Sequence, residues 1–256
     1  MPTRRHALRL SLGVLTVLVV AMTGGMNRGA AAQAPAAKTP IKIGVLAPLS
    51  GPLAALARDV VDGARLYVDE VHGEMAGRKV ELIVEDYEFK AAVALTKTKK
   101  LVERDRVHVV VGVILSAAVL AMKDYIHTHE VPFIVSGAAV AEAITLEKPS
   151  PYVFRTTFSA SQVPGPLGKF TYDKLKARTA MVIAGDTVGT IELVMGFARA
   201  FEESGGKVVQ ELYPPIGTTD FGLYIGKIRR DVGVVATLVP GADGIRFIKQ
   251  DRKSVV

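Results

Sequence analysis

Between Val109 and Met122 the chain runs VVVGVILSAAVLAM, fourteen residues without a charge and with a single serine, Ser116. The run can be a membrane segment, a buried strand and helix, or a binding site built around that hydroxyl. Gly112 interrupts it, Arg106 and Lys123 flank it, and strand and helix periods surround it, so it reads as a strand, a turn and the start of a helix. Ser116 then stands where the helix begins. A serine there can cap its own helix by accepting a bond from a first-turn N–H. It can also act with Ala117 and the free first-turn N–H groups, at the positive end of the helix dipole, to hold a carboxylate. Spacing leaves both uses open. Downstream, Gly137-Ala138-Ala139 puts very small side chains after the next strand. They either let a ligand approach backbone N–H groups or let helix and strand pack closely.

Other polar residues carry less. Asp86 and Glu88 follow a strand and read as solvated loop carboxylates. Asp186 is a loop acid, and Asp220 after Thr218-Thr219 reads as a helix N-cap. His127 and His129, two apart at a helix end, point to different faces and make a poor metal pair. The sequence has no GxGxxG after a strand, no GxxxxGK[ST], no GxSxG and no HExxH. With no cysteine, thiolate metal sites, iron–sulfur clusters and cysteine nucleophiles are excluded. No cofactor or metal is expected, and an exported α/β enzyme is the least favoured class.

The elements that must position these residues follow from periodicity. Ile41–Pro48, Lys79–Tyr87, Val107–Val113 and Val131–Gly137 read as strands. Helical faces fill Ala54–His72, Lys90–Arg106 and Ser116–Glu130. Apolar strands alternating with helices predict βαβ units and a parallel sheet covered on both faces. Extended, proline-rich chain at Tyr152–Pro166 breaks the rhythm. It resumes with strands at Thr179–Gly185, Lys207–Pro214 and Val232–Pro240, and helices at Gly189–Ser204, Asp220–Arg230 and Gly241–Arg252. The fold class is therefore α/β with two Rossmann-like lobes, the second incomplete: residues 41–157 form lobe one and 158–256 a partial lobe two. A fragment or truncated reading frame would explain the short second lobe. Ligands of open parallel sheets bind beyond the carboxyl ends of strands, which selects the loops Pro48–Leu56, Gly112–Ala118 and Ser136–Glu142.

The N-terminus reads as a leader. Arg4, Arg5 and Arg9 precede an apolar run from Leu10 to Met22, and Ala30-Ala31-Ala32 follows. This is the layout of a secretory signal peptide over residues 1–32, cleaved near Ala32, with 33–40 as a linker; an uncleaved anchor is the alternative. Thr3-Arg4-Arg5 leaves general and twin-arginine export both open. Without the leader's four arginines, which no acidic residue balances, the net charge falls from +7 to +3. The basic cluster Lys97, Lys99, Lys100, Arg104 and Arg106 reads as a solvated helix face, so no nucleic-acid partner is expected.

In order, IKIGVLAPLSGPLAAL, DGARLYVDEV, VELIVEDY, VVVGVILSAA, VPFIVSGAA, YVFRT and GTTDF resemble the periplasmic leucine/isoleucine/valine-type solute-binding proteins of ABC transporters. The likeness runs from Ile41 to Gln250. It implies a type I periplasmic binding protein fold, two lobes closing on a small carboxylate-bearing ligand, and transfer of that ligand to membrane permease subunits, without catalysis. By the resemblance, Ser116 holds the ligand carboxylate and Ala138 offers a backbone contact, with Ala117 and Ala139 beside them. Val140 stands where the family has a threonine hydroxyl, and Leu56 and Val188 stand near tyrosine positions. These departures turn the expectation from a branched-chain amino acid alone to aromatic or aliphatic acids as well. The acidic residue that pairs with an amino acid's ammonium group, and the return crossings to lobe one, correspond to chain beyond Val256. A ligand-sensing regulator or receptor domain of the same fold is the alternative function.

Overall fold

A computed structural model of the chain describes residues 38–254. The expected leader and its cleavage point at Ala32 lie outside the described residues. Among those described, no helix is long and apolar enough to cross a membrane.

A six-stranded sheet comes first. Its strands are β1 (Ile41–Ala47), β2 (Glu74–Met75), β3 (Arg78–Asp86), β4 (Val109–Gly112), β5 (Phe133–Val135) and β6 (Val153–Arg155), in the order β2-β3-β1-β4-β5-β6. All pairings are parallel except β2 with β3. That hairpin turns through Ala76 and Gly77, both at positive φ, the pairing that two-residue hairpins favour. Helices α1 (Ala54–Glu70), α2 (Ala91–Lys99, extended by a π-helical turn over Lys100–Arg104) and α3 (Ser116–Thr128) connect the strands. Side chains of β1 alternate between two apolar clusters. Val45 and Ala47 pack with Ala57 and Val61 of α1, while Leu46 packs with Leu101 and with Val119 and Met122 of α3. Both faces of the sheet are therefore covered, which is why its strands are apolar throughout.

A second, three-stranded parallel sheet follows, β7 (Thr179–Ala184), β8 (Lys207–Leu212) and β9 (Val234–Leu238), in the order β8-β7-β9. Central β7 repeats the logic of β1. Ala180, Val182 and Ala184 meet Val194, Phe197 and Phe201 of α5 (Val188–Glu203). Met181 and Ile183 meet Phe221 and Phe247, the latter on α7 (Gly241–Ser254).

Three features depart from the sequence reading. Proline-rich Tyr152–Pro166 contains β6 and the start of a helix, α4 (Pro164–Asp173). A proline in the first turn removes only an N–H that has no intrahelical partner. The helix expected over Asp220–Arg230 contracts to α6 (Gly222–Ile225), bounded by Gly222 and Gly226, residues of poor helix propensity. Asp220 is not its N-cap; its Oδ1 accepts the Gly222 amide at 2.8 Å, while Phe221 occupies the cap position. The basic face on α2 is only partly solvated. Lys97 and Lys100 turn inward to Glu85 at 2.6 and 2.5 Å, and Lys100 also reaches Asp105 at 2.8 Å.

Candidate functional site

Strand order changes direction between β1 and β4 in the first sheet and between β7 and β9 in the second. Crevices at the carboxyl ends of strands form at such switch points. Here they bring together the N-termini of α1, α3, α5 and α7. The helix starts that follow the two sheets touch at glycines. A Cβ on Gly189, second residue of α5, would stand 2.8 Å from Ser116 Oγ and 3.3 Å from Val140 Cγ2. A Cβ on Gly241 would stand 2.6 Å from Leu53 Cδ2 and 3.0 Å from Pro52 O. Only bare backbone fits at either contact.

Ser116 is 3% exposed and is the first residue of α3. It makes no capping bond, and extended Leu115 takes the cap position. The cap reading fails because the hydroxyl is engaged across the sheet: Ser116 Oγ accepts the amides of Val140 and Ala141 at 3.1 and 3.2 Å. Two accepted bonds use both oxygen lone pairs and leave the hydroxyl proton as a donor. The hydroxyl is thereby left to act as a donor, the polarity an anion requires.

Two residues passed over in the sequence reading hold this arrangement. Tyr87, fully buried at the end of β3, accepts the amides of Ile114 and Leu115 on its hydroxyl, both at 3.2 Å. Burial pushes its phenol up to about 12, against the lowering effect of those two amides. It braces a strained turn in which Gly112 has φ +107 and Val113, a β-branched residue, has φ +66. A Cβ on Gly112 would meet Leu46 O at 2.5 Å, so the turn takes glycine there. Arg155, the last residue of β6, donates to Val140 O and Ala141 O, both at 2.8 Å, to Thr145 Oγ1 at 2.7 Å and to Phe158 O at 3.2 Å. Burial lowers its pKa, opposed by the nearby Glu192 and Glu142 carboxylates. Glu192 on α5 also ties the sheets together, accepting the Glu142 amide at 2.8 Å.

The expected residues divide as follows. Ser116 and Val140 meet directly, through the Val140 backbone amide. Ala139 is fully buried, Ala117 is half-buried in the first turn of α3, and Ala138 is exposed. Leu56 in the first turn of α1 and Val188 at the start of α5 are each 41% exposed. Asp86 is not a solvated acid. Partial burial pushes its carboxyl up, but hydrogen bonds from the Glu88 amide, the Ser50 hydroxyl and the Leu49 amide outweigh it and hold it below the ordinary range. It serves to pin the loop after β1. His127 bonds Ser150 Oγ and His129 stacks on Tyr125, so the two rings have separate partners. Among the described residues no cluster of three or more potential metal ligands occurs.

Comparison with known proteins gives a consistent answer. A family model described as periplasmic binding protein matches residues 40–254. The "Leu/Ile/Val-binding protein homolog 6" of Brucella melitensis is 28% identical over 212 residues, covering 82% of this chain and 53% of the relative. Among solved structures, an ABC transporter substrate-binding protein from Sphaerobacter thermophilus superposes with a TM-score of 0.74 at 35% identity, covering 84% of this chain and 59% of that one. A solute-binding protein of an ABC transporter from R. palustris, in complex with benzoate, gives 0.79 at 25% identity, with coverage of 84% and 60%. The chain spans about half the length of the curated relatives it matches.

Proposed function

The chain belongs to the periplasmic binding protein family, with the α/β fold of its type I members, and from that premise we propose that it is the extracytoplasmic ligand-binding component of an ABC importer. It takes a small carboxylate-bearing ligand between its two sheets and passes it to membrane permease subunits. It performs no catalysis. The observation that carries this reading is the Ser116 hydroxyl, left as a donor by two accepted amides where helix N-termini converge.

The residues assign the parts of the ligand. Ser116 Oγ and the first-turn amides of α3, at Ser116 and Ala117, receive the carboxylate, where the positive end of the helix dipole adds to the donors. The Ala138–Ala139 turn admits the ligand close to backbone. Val140, Val188 and Leu56 supply an apolar wall for an aliphatic side chain or an aromatic ring. Gly189 rests against Ser116, so a carboxylate reaches the hydroxyl when α5 withdraws, as in a hinge-type opening of two lobes, residues 41–157 and 158–256. The names of the relatives support the ligand class: leucine, isoleucine, valine and benzoate all join a carboxylate to an apolar body.

A thermal-shift series with leucine, isoleucine, valine and benzoate, each beside the amide that replaces its carboxylate, tests the reading. A ligand at a hundred times its Kd adds about 2.7 kcal/mol, which for a chain of this size raises Tm by roughly 5–10 °C. At least one acid is expected to give such a shift and its amide none. Equal shifts with acid and amide, or none with any acid, would overturn the proposal.

A further inference from the structure

Arg155 presents an unusual use of charge. Its fork is spent on neutral acceptors, three backbone carbonyls and one hydroxyl, and its buried Nε has no hydrogen-bond partner. The nearest acids bond elsewhere: Glu192 takes the Glu142 amide, and Glu142 takes the Ser161 amide at 3.0 Å. Taking a guanidinium even partly out of water for carbonyl partners is costly, and a neutral donor could tie down a turn as well. What a neutral donor could not supply is a positive potential.

The connectivity shows where that potential goes. Arg155 donates to Val140 O at 2.8 Å, and the N–H of that same peptide unit, at Ala141, donates to Ser116 Oγ at 3.2 Å. Guanidinium, peptide and hydroxyl therefore form one unbroken hydrogen-bond chain. Charge at one end of such a chain strengthens each successive donor. The second fork bond, to Ala141 O at 2.8 Å, keeps the turn from rotating.

We infer that Arg155 is the positioning residue of the carboxylate site: through the Val140–Ala141 peptide it holds and polarises the amides that set the Ser116 hydroxyl as an anion donor. The inference rests on the carboxylate-binding reading and deepens it. Glu192 and Glu142 lie near enough to act on this guanidinium but neither bonds it, and a bound carboxylate would add counter-charge at the far end of the chain.

Two variants separate charge from tethering. Arg155→Gln and Arg155→Lys both lose most of the fork, so a purely structural role penalises them alike. Isoleucine and benzoate are titrated by calorimetry against wild type and both variants, and exchange of the Val140 and Ala141 amides is followed by NMR without added acid. For an acid that wild type binds, Arg155→Gln is expected to weaken binding ~10-fold or more, the loss of a charge-assisted bond, with Arg155→Lys several-fold closer to wild type. Exchange at Val140 and Ala141 is expected to quicken in Arg155→Gln while Ile114 and Leu115, held by Tyr87, keep their protection. Equal affinities in the two variants, or exchange no faster at Val140 and Ala141 than at Ile114 and Leu115, would overturn the inference alone. Should wild type bind neither acid, the carboxylate reading falls and this inference with it. If Arg155→Gln does not fold, Arg155→Lys against wild type decides: affinity within a few-fold of wild type supports the relay of charge, and a loss of ~10-fold or more contradicts it.

Discussion

Replacing Ser116 with alanine removes one oxygen and adds no bulk, at a residue 3% exposed. The oxygen is the shared acceptor of two amides, from Val140 at 3.1 Å and Ala141 at 3.2 Å, and both of those residues are buried. Each buried donor left without a partner costs about 1–3 kcal/mol. The two bonds lie at the long end of the normal N–H···O range, so the low end applies to each. Together they amount to about 2–4 kcal/mol, or roughly 4–16 °C in Tm for a chain of this size. Urea denaturation of wild type and Ser116→Ala measures the difference. Ser159→Ala is the control, since that buried hydroxyl meets only Ser161 Oγ, at 3.5 Å, and its loss should stay below about 1 kcal/mol. A Ser116→Ala cost no larger than that of Ser159→Ala would refute the claim that this hydroxyl organises the loop after β5.

Tyr87→Phe should cost about 2–4 kcal/mol by stranding the Ile114 and Leu115 amides, two buried donors at the same long distance. Because burial raises the Tyr87 phenol to about 12, the wild-type protein binds that proton more tightly than its unfolded chain does. Stability from this source is full below about pH 10 and is lost as pH rises toward 12, and urea titrations across that window should show the phenylalanine variant without it. Asp86 has the opposite sign: its lowered pKa contributes stability above the ordinary value of 3.8 that disappears as pH falls through the folded value. Acid titration of Asp86→Ala should lack that component. Gly189→Ala forces a Cβ to 2.8 Å from Ser116 Oγ and should destabilise by about 1–3 kcal/mol. Gly63→Ala, in α1 with nothing within 4 Å of the added carbon, should instead stabilise by about 0.5–1 kcal/mol in the same urea assay.

Much of the fold was legible because parallel strands buried on both faces are continuously apolar, and those runs mark β1, β4, β7 and β9 directly. Elements set by single turns were not. α4 starts on Pro164 and contains Gly165 and Pro166, residues that read as breakers unless the first turn is already known to be there. β6 has three residues, too few for a period. At the site, Ser116 stood out as the one polar residue in an apolar run, and the rule of strand carboxyl ends directed attention to the loops around it. Its bonds were not visible, because they join it to backbone 24 and 25 residues away. A backbone amide leaves no signature in residue type, which is why Val140 looked like a lost hydroxyl when its N–H is what the site uses. Arg155 carried the one available signal, a single arginine closing the apolar strand VFR, and only the fold showed that it faces the loop of Val140 and Ala141.

The central claim, a carboxylate held by the Ser116 hydroxyl, is tested most directly by calorimetric titration of wild type and Ser116→Ala with the acid that shifts Tm most. The expected result is binding by wild type and a loss of ~10-fold or more in the variant, matching a charge-assisted hydrogen bond of about 1.5–3 kcal/mol. Unchanged affinity in a variant that melts cooperatively would contradict it.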